Sequence, residues 1–296
     1  FVPKQTNPLK AVGVLALFAV LASYSNSHIN NNMPKICQDV GIDNSVGTWI
    51  ANVEIIMIIA TATMTSRLGE KFGVSVIYTL GTTIFSVFNF LFIVPGVAKN
   101  IYLILINRAI AAIGIGMANP SAMPLAYVLV QQSKLPIIIS GVTLCIPFGS
   151  LISSFIAGIV ADSIGWQYMC VFAGSAGFLT AILQLSFLPY KLPRNKDAKF
   201  DILGTLMLAL SCVGILLGLI SLGKNAFMPV WAAIVVIVVA ICLMVLFITY
   251  CIKWSKAPIF GKPVFNKQLL LAETCLILIA TASFGERYIL PYFFKL

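Results

Sequence analysis

Three observations make this sequence an all-α polytopic membrane protein. Hydrophobic residues fill 60% of the 296 positions and charged residues only 9%, a balance no soluble core produces. The apolar residues gather into nine stretches of about 20, the length that carries a helix across a hydrocarbon core of about 30 Å. Cations alternate between the breaks: with the N-terminus placed inside, thirteen Lys and Arg fall in inner segments and three in outer loops. That bias sets an N-terminus-in orientation by the positive-inside rule. It also accounts for the net charge of +10 without any nucleic-acid partner.

The spans read as 11–33, 46–65, 74–95, 101–125, 136–159, 167–188, 202–222, 229–251 and 268–290. Backbone in lipid must satisfy its own hydrogen bonds, so spans of this length are helices; barrel strands would be about ten residues long with alternating polarity. The first is not a cleaved signal, because bulky, Asn-rich sequence follows its apolar run. That run, Ala11 to Tyr24, covers only about 21 Å at 1.5 Å per residue. To cross, the helix must take in Ser25 to Asn32, whose polar side chains then need water or protein partners. On one reading Ser25, His28 and Asn32 share a face by i, i+3, i+7 spacing and line a hydrated cavity, with Asn30 beside them. On the other the crossing is short and these residues open an outer loop.

The second span carries Glu54 and the fourth Arg108, each about eight residues or 12 Å below the same face. Either charge alone is costly in a bilayer and far less so when paired, so a Glu54–Arg108 interaction is expected. Arg108 can also snorkel toward the interface in a purely structural role. In the fifth span Gly141, Cys145, Gly149, Ser153 and Ala157 form a small-residue stripe with Gly158 alongside, a pattern that lets helix backbones approach closely. The seventh and eighth spans lack a polar face, which suits helices that meet lipid on most sides. The ninth holds Glu273, Glu286 and Arg287; the last two face a path or mark an outer helix end. Between the sixth and seventh spans lies the longest basic break, PYKLPRNKDAKF, read as a solvated linker.

Several chemistries find no support. The seven cysteines show no ligand spacing and sit largely in spans as small apolar residues, so no metal or disulfide is expected. No phosphate loop, HExxH or nucleotide fingerprint occurs, so neither an enzyme nor a bound cofactor is expected. The chain opens on Phe1 and stops just past the ninth span, which reads as an incomplete piece of a longer protein.

Ser66 to Ser75 (SRLGEKFGVS) resembles the loop signature of the major facilitator superfamily between its second and third helices. Leu68 and Gly73 match it, Glu70 and Lys71 keep its charges, and Ser66 stands for its first Gly. Arg108 with Gly114 and Gly116 is similar to the fourth-helix pattern of the same superfamily. Gly165-Trp166-Gln167 resembles the tail of the fifth-helix signature of its proton-coupled drug exporters. Counting back lays Ser153 to Gly158 on a signature that has lost its Gly-Pro. Asn30 and Pro34 match the end of helix one in the fourteen-helix drug:proton antiporters, with Ser25 where that family has Asp. Phe200-Asp201-Ile202-Leu203-Gly204 and Ile289-Leu290-Pro291-Tyr292 match its later motifs.

The resemblance implies a six-helix bundle over 1–188, a cytoplasmic basic linker over 189–201, two inserted helices over 202–251, and a loop with the first helix of a second bundle over 252–296. It implies a secondary transporter working by alternating access, exporting drug-like or organic-cation molecules with protons, in the plasma membrane rather than an organelle. The alternatives are a uniporter or symporter for a small metabolite, or a truncated protein that does not transport. In that frame Glu54, Arg108, His28, Ser25, Asn30 and Asn32 are candidates for proton coupling or the cavity. Ser66, Leu68, Glu70, Lys71 and Gly73 form a gating loop, and Gly114, Gly116, Gly149, Ser153, Ala157 and Gly158 pack helices.

Overall fold

The computed structural model describes residues 8–190, 201–222 and 228–254, with eight further positions between 266 and 278. Most of the basic linker and of the ninth span, with Glu273, Glu286, Arg287 and the Ile289 to Tyr292 motif, lies outside the described residues. Long helices follow the predicted spans: α1 (Pro8–Asn31), α3 (Asn44–Phe72), α4 (Val74–Phe90), α6 (Ile101–Leu129), α7 (Leu135–Ser163), α8 (Gln167–Phe187), α9 (Ile202–Ser221) and α10 (Val230–Lys253). All eight are long and apolar enough to cross a membrane. Two short helices, α2 (Met33–Val40) and α5 (Pro95–Lys99), lie between spans at one end of the bundle.

α1 does continue through Ser25 to Asn31, and the chain bends at Asn32 before α2 starts with Pro34 in its first turn. Proline is tolerated there because the first-turn N–H groups have no helical partner. The joint between α3 and α4 corrects a sequence expectation. Ser66 to Phe72 is helix rather than loop, and Gly73 alone connects the two elements, with φ at 101°. An L-residue with a side chain disfavours that backbone region. Glu70 pairs with Arg67 one turn back, at 3.1 Å, and Lys71 lies over the Phe72 ring.

The helices pack in a defined order. α1 sits between α7 and α8, α8 against α4, α4 against α6, and α6 against α3. Glycine makes the central crossings close. A Cβ at Gly114 of α6 would press on Gly81 and Phe85 of α4, and one at Gly116 on Ile58 and Thr61 of α3. Gly149 of α7 lies against the Val20 backbone of α1, and Ser153 and Ala157 are buried one and two turns on. Gly141, two turns the other way, faces open space, so the small-residue stripe works over half its length.

α9 and α10 form a hairpin that docks through α9 on α3. Asp201 caps α9 by accepting from the Gly204 N–H at 2.9 Å, and it also accepts from the Tyr250 hydroxyl of α10 at 3.1 Å. A Cβ at Gly204 would crowd that carboxylate, which gives the Asp-x-x-Gly spacing a physical reason.

Two apolar clusters fill the bundle. One, nearer Gly73, includes Phe18, Tyr78, Phe85 and Ile115. The other, toward α2 and α5, includes Ile29, Ile50, Phe92, Ile104 and Trp166.

Candidate functional site

Between those two clusters runs a buried polar layer. On α3, Glu54 stands one turn past Ile50; on α6, Arg108 stands one turn past Ile104; on α4, Asn89 lies between Phe85 and Phe92. Ser25 and His28 occupy the same interval of α1, between Ala22 and Ile29. Each helix therefore interrupts its core face with a polar residue at one height, and close packing brings the five together.

Arg108 donates through Nη2 to Glu54 Oε2, and both side chains are essentially out of contact with the surroundings, at 1% and 2% exposure. Arg108 Nη1 also donates to Ser25 Oγ at 3.3 Å, and Ser25 Oγ donates to Asn89 Oδ1 at 3.1 Å. Asn89 in turn donates to the Phe85 carbonyl at 2.9 Å. The chain of bonds crosses α3, α6, α1 and α4. Counted from the helix starts, Glu54 lies roughly 15 Å and Arg108 roughly 10 Å in. Such a pair is far less costly than either ion alone, but its attraction is offset by the desolvation of both. Glu54 Oε1 and Arg108 Nε find no hydrogen-bond partner among the described residues. The pair is thus held by one oxygen, short of the bidentate fork that arginine and carboxylate can make.

His28 and Asn32 complete the inward face of α1. His28 Nε2 is 3.3 Å from Cys170 Sγ of α8, its ring packs on Tyr24, and its Nδ1 has no partner among the described residues. Asn32 donates to the His28 carbonyl at 2.9 Å and approaches Met169 Sδ at 3.4 Å. Ser25, His28 and Asn32 do share a face, but it is turned into protein and buried. The cavity reading is corrected: α4, α6 and α8 close over that face and supply its partners. Asn30 points the other way and is exposed, bonded to Asn26, while Asn31 donates to Ser154 of α7 at 3.1 Å.

Sequence reasoning missed Asn89 and Cys170 as members of this layer. Asn89 carried a signal, a lone amide inside an apolar span. Cys170 carried none, being counted among small apolar residues. Among the described residues no group of three His, Cys, Asp or Glu could hold a metal ion. Ser66, Leu68, Glu70, Lys71 and Gly73, expected from the sequence to form a gating loop, lie at or just past the far end of α3 from Asn44, some distance from this layer. What the layer holds chemically is one buried ion pair whose carboxylate keeps a second oxygen without a partner among the described residues.

Known proteins resemble the chain at two levels. The model of the Major Facilitator Superfamily matches residues 15–293. The riboflavin transporter RibZ of Clostridioides difficile is 22% identical over 95% of this chain and 60% of its own length. The multidrug transporter mfsC of Aspergillus fumigatus is 24% identical over 86% and 48%, and the methylenomycin A resistance protein of Bacillus subtilis 24% over 95% and 59%. The chain thus spans about half the length of the curated relatives it matches. Among solved structures, a peptide transporter POT in complex with sulfate superposes with a TM-score of 0.60 at 12% identity, covering 83% of this chain and 53% of that one. The inward-open xylose transporter XylE from E. coli gives 0.56 at 14%, over 83% and 67%. With its helix order and nearly the whole sequence matched, this multi-pass membrane chain belongs to the Major Facilitator Superfamily.

Proposed function

We propose that the protein is a secondary transporter that works by alternating access and exports drug-like or organic-cation molecules in exchange for protons. Two bundles rocking around a central site are the usual way such helices move a solute. The chain supplies the six-helix unit 1–188, the linker 189–201, the inserted pair 202–251, and through 252–296 the start of a second bundle. The N-terminus lies in the cytoplasm, following the cation bias of the loops, and export out of the cell puts the protein in the plasma membrane. Relatives named as multidrug transporters support the substrate class.

The observation that carries the reading is the buried, singly bonded Glu54–Arg108 pair. A rearrangement within this bundle that parts α3 from α6, accompanying the rocking, would strip the buried carboxylate of its counter-ion, and a proton taken up by the carboxylate would offset that loss. Arginine keeps its proton and acts by biasing its neighbour. His28 is the second candidate carrier, because its imidazole lies in the same buried layer with Nδ1 unpartnered among the described residues.

The test is substrate accumulation by the full-length protein in proteoliposomes under an imposed pH gradient. Glu54→Gln is expected to abolish proton-driven accumulation and leave downhill exchange. If Glu54→Gln has no effect and His28→Ala abolishes accumulation, the carrier is histidine. If both variants behave as wild type, this bundle carries no proton. A uniporter or symporter for a small metabolite is the second reading. Ser25 favours it, standing where the drug antiporters have an acid, as does the resemblance to a riboflavin transporter.

A further inference from the structure

At the end of the bundle remote from Gly73, α2, α5, the turn Leu91–Ile93 and the start of α8 line an open cavity of about 250 Å³. Phe92, Trp166 and Tyr168 supply three aromatic rings, while Asp39 and Lys99 supply one charge of each sign. The aromatic side is fixed. Trp166 is fully buried and stacks edge-on against Phe92 with ring centroids 5.7 Å apart. Gly165, with φ at 107°, makes the sharp joint that lets Trp166 turn inward immediately before α8. Asp39 and Lys99 are both exposed, and among the described residues neither is in an ion pair with the other or with any other group. Opposite charges facing one small cavity, unpaired and beside aromatic rings, present a counter-charge to each end of a dipolar ligand.

We propose that this cavity binds a zwitterion, an ammonium beside a phosphate or carboxylate, with Asp39 and the exposed Tyr168 ring taking the ammonium and Lys99 the anion. Aromatic rings attract ammonium groups through their negative faces, and a lysine ammonium binds phosphate as a point charge. The volume suits a headgroup-sized molecule and falls below the size of about 300 Å³ at which drug-sized pockets begin. The position at the ends of six membrane-spanning helices puts the cavity at headgroup height, where Trp and Tyr gather. Two sources share this chemistry, the headgroup of a zwitterionic phospholipid and a free zwitterionic solute. The inference is independent of the transport reading, since the cavity shares no residue with the buried polar layer.

The experiment uses the full-length protein, delipidated in detergent. Binding is followed by native mass spectrometry and by thermal unfolding, with phosphatidylethanolamine, phosphatidylcholine, phosphatidylglycerol, glycerophosphoethanolamine and glycine betaine as probes. Zwitterionic lipids are expected to bind and raise the unfolding temperature. Asp39→Asn and Lys99→Gln are each expected to weaken that binding about fivefold, the effect of one exposed charge contact of about 1 kcal/mol. Tyr168→Ala, at a half-exposed ring that leaves the core intact, weakens it as well. Competition by glycerophosphoethanolamine or betaine with no lipid retained identifies a soluble ligand, and retained lipid identifies the membrane as the source. Equal binding of phosphatidylglycerol that survives Asp39→Asn would reduce the site to a cationic surface and overturn the proposal. So would the absence of binding by any zwitterion to the wild-type protein.

Discussion

Removing one member of the Glu54–Arg108 pair leaves the other as an unpaired buried ion, and that cost is measurable apart from transport. Both groups are buried between apolar clusters, so neither recovers water when its partner is lost. Breaking a buried pair typically costs about 3–5 kcal/mol, whereas replacing both members with apolar residues of similar volume is near neutral or stabilising by about 1–4 kcal/mol. Arg108→Met and Glu54→Leu alone are each expected to destabilise by roughly 3 kcal/mol or more. The Glu54→Leu/Arg108→Met protein should unfold near or above the wild-type temperature. The coupling energy then comes to several kcal/mol, well beyond the few tenths expected of independent sites. The assay is thermal unfolding of the purified full-length protein in detergent, followed by tryptophan fluorescence. Ser25→Ala serves as a milder comparison, since it removes one hydrogen bond to Arg108 and one to Asn89 at about 1 kcal/mol each. A double variant as damaged as the two single variants added together would refute the pairing. A stable double variant that has lost proton-driven accumulation would separate the pair's structural part from its part in coupling.

Three further outcomes follow from particular contacts. Gly73→Val forces a β-branched residue to φ of 101° at a joint one residue long, at a cost of about 1–3 kcal/mol; exchange rates measured by substrate counterflow should fall while substrate affinity is kept, and lost affinity with normal exchange would remove this joint from gating. Gly149→Val drives a side chain into the Val20 backbone whereas Gly141→Val points into open space, so thermal unfolding should drop sharply for the first and stay within about 0.5 kcal/mol for the second. Cys37 is buried and its thiol is pushed up by burial, leaving less thiolate at neutral pH. Labelling by an impermeant maleimide in intact cells should therefore be slow at pH 7 and quicken as pH rises, while Asp39→Cys labels readily and Gln132→Cys, at the opposite end, does not. Reversed labelling of those two positions would invert the orientation.

The length and order of the eight described membrane helices were legible in the sequence, and so was the identity of the two costly ions. The ninth span falls largely outside the described residues. These features are readable because transfer into lipid is a residue-by-residue cost, and a run of about 20 apolar residues states its own fate. Glu54 and Arg108 stood out for the same reason. Their similar depth, near the middle of their spans, also follows roughly from 1.5 Å of rise per residue.

What only the tertiary structure decided is lateral. Hydropathy says that Ser25, His28 and Asn32 need partners; it does not say whether water or protein provides them. The packing of α6 and α8 on α1, with Asn89 reaching in from α4, turned the face inward and made Asn89, Cys170 and Met169 the partners, residues 64 or more positions away along the chain. The Gly73 joint was misread for a related reason. Charged residues near a turn signal suggest a loop, but Ser66 to Phe72 stays helical, with Glu70 paired to Arg67 one turn back. The depth of a residue in a membrane is a property of its own helix, whereas its neighbours are set by which helices pass beside it, and no local run of sequence contains that information.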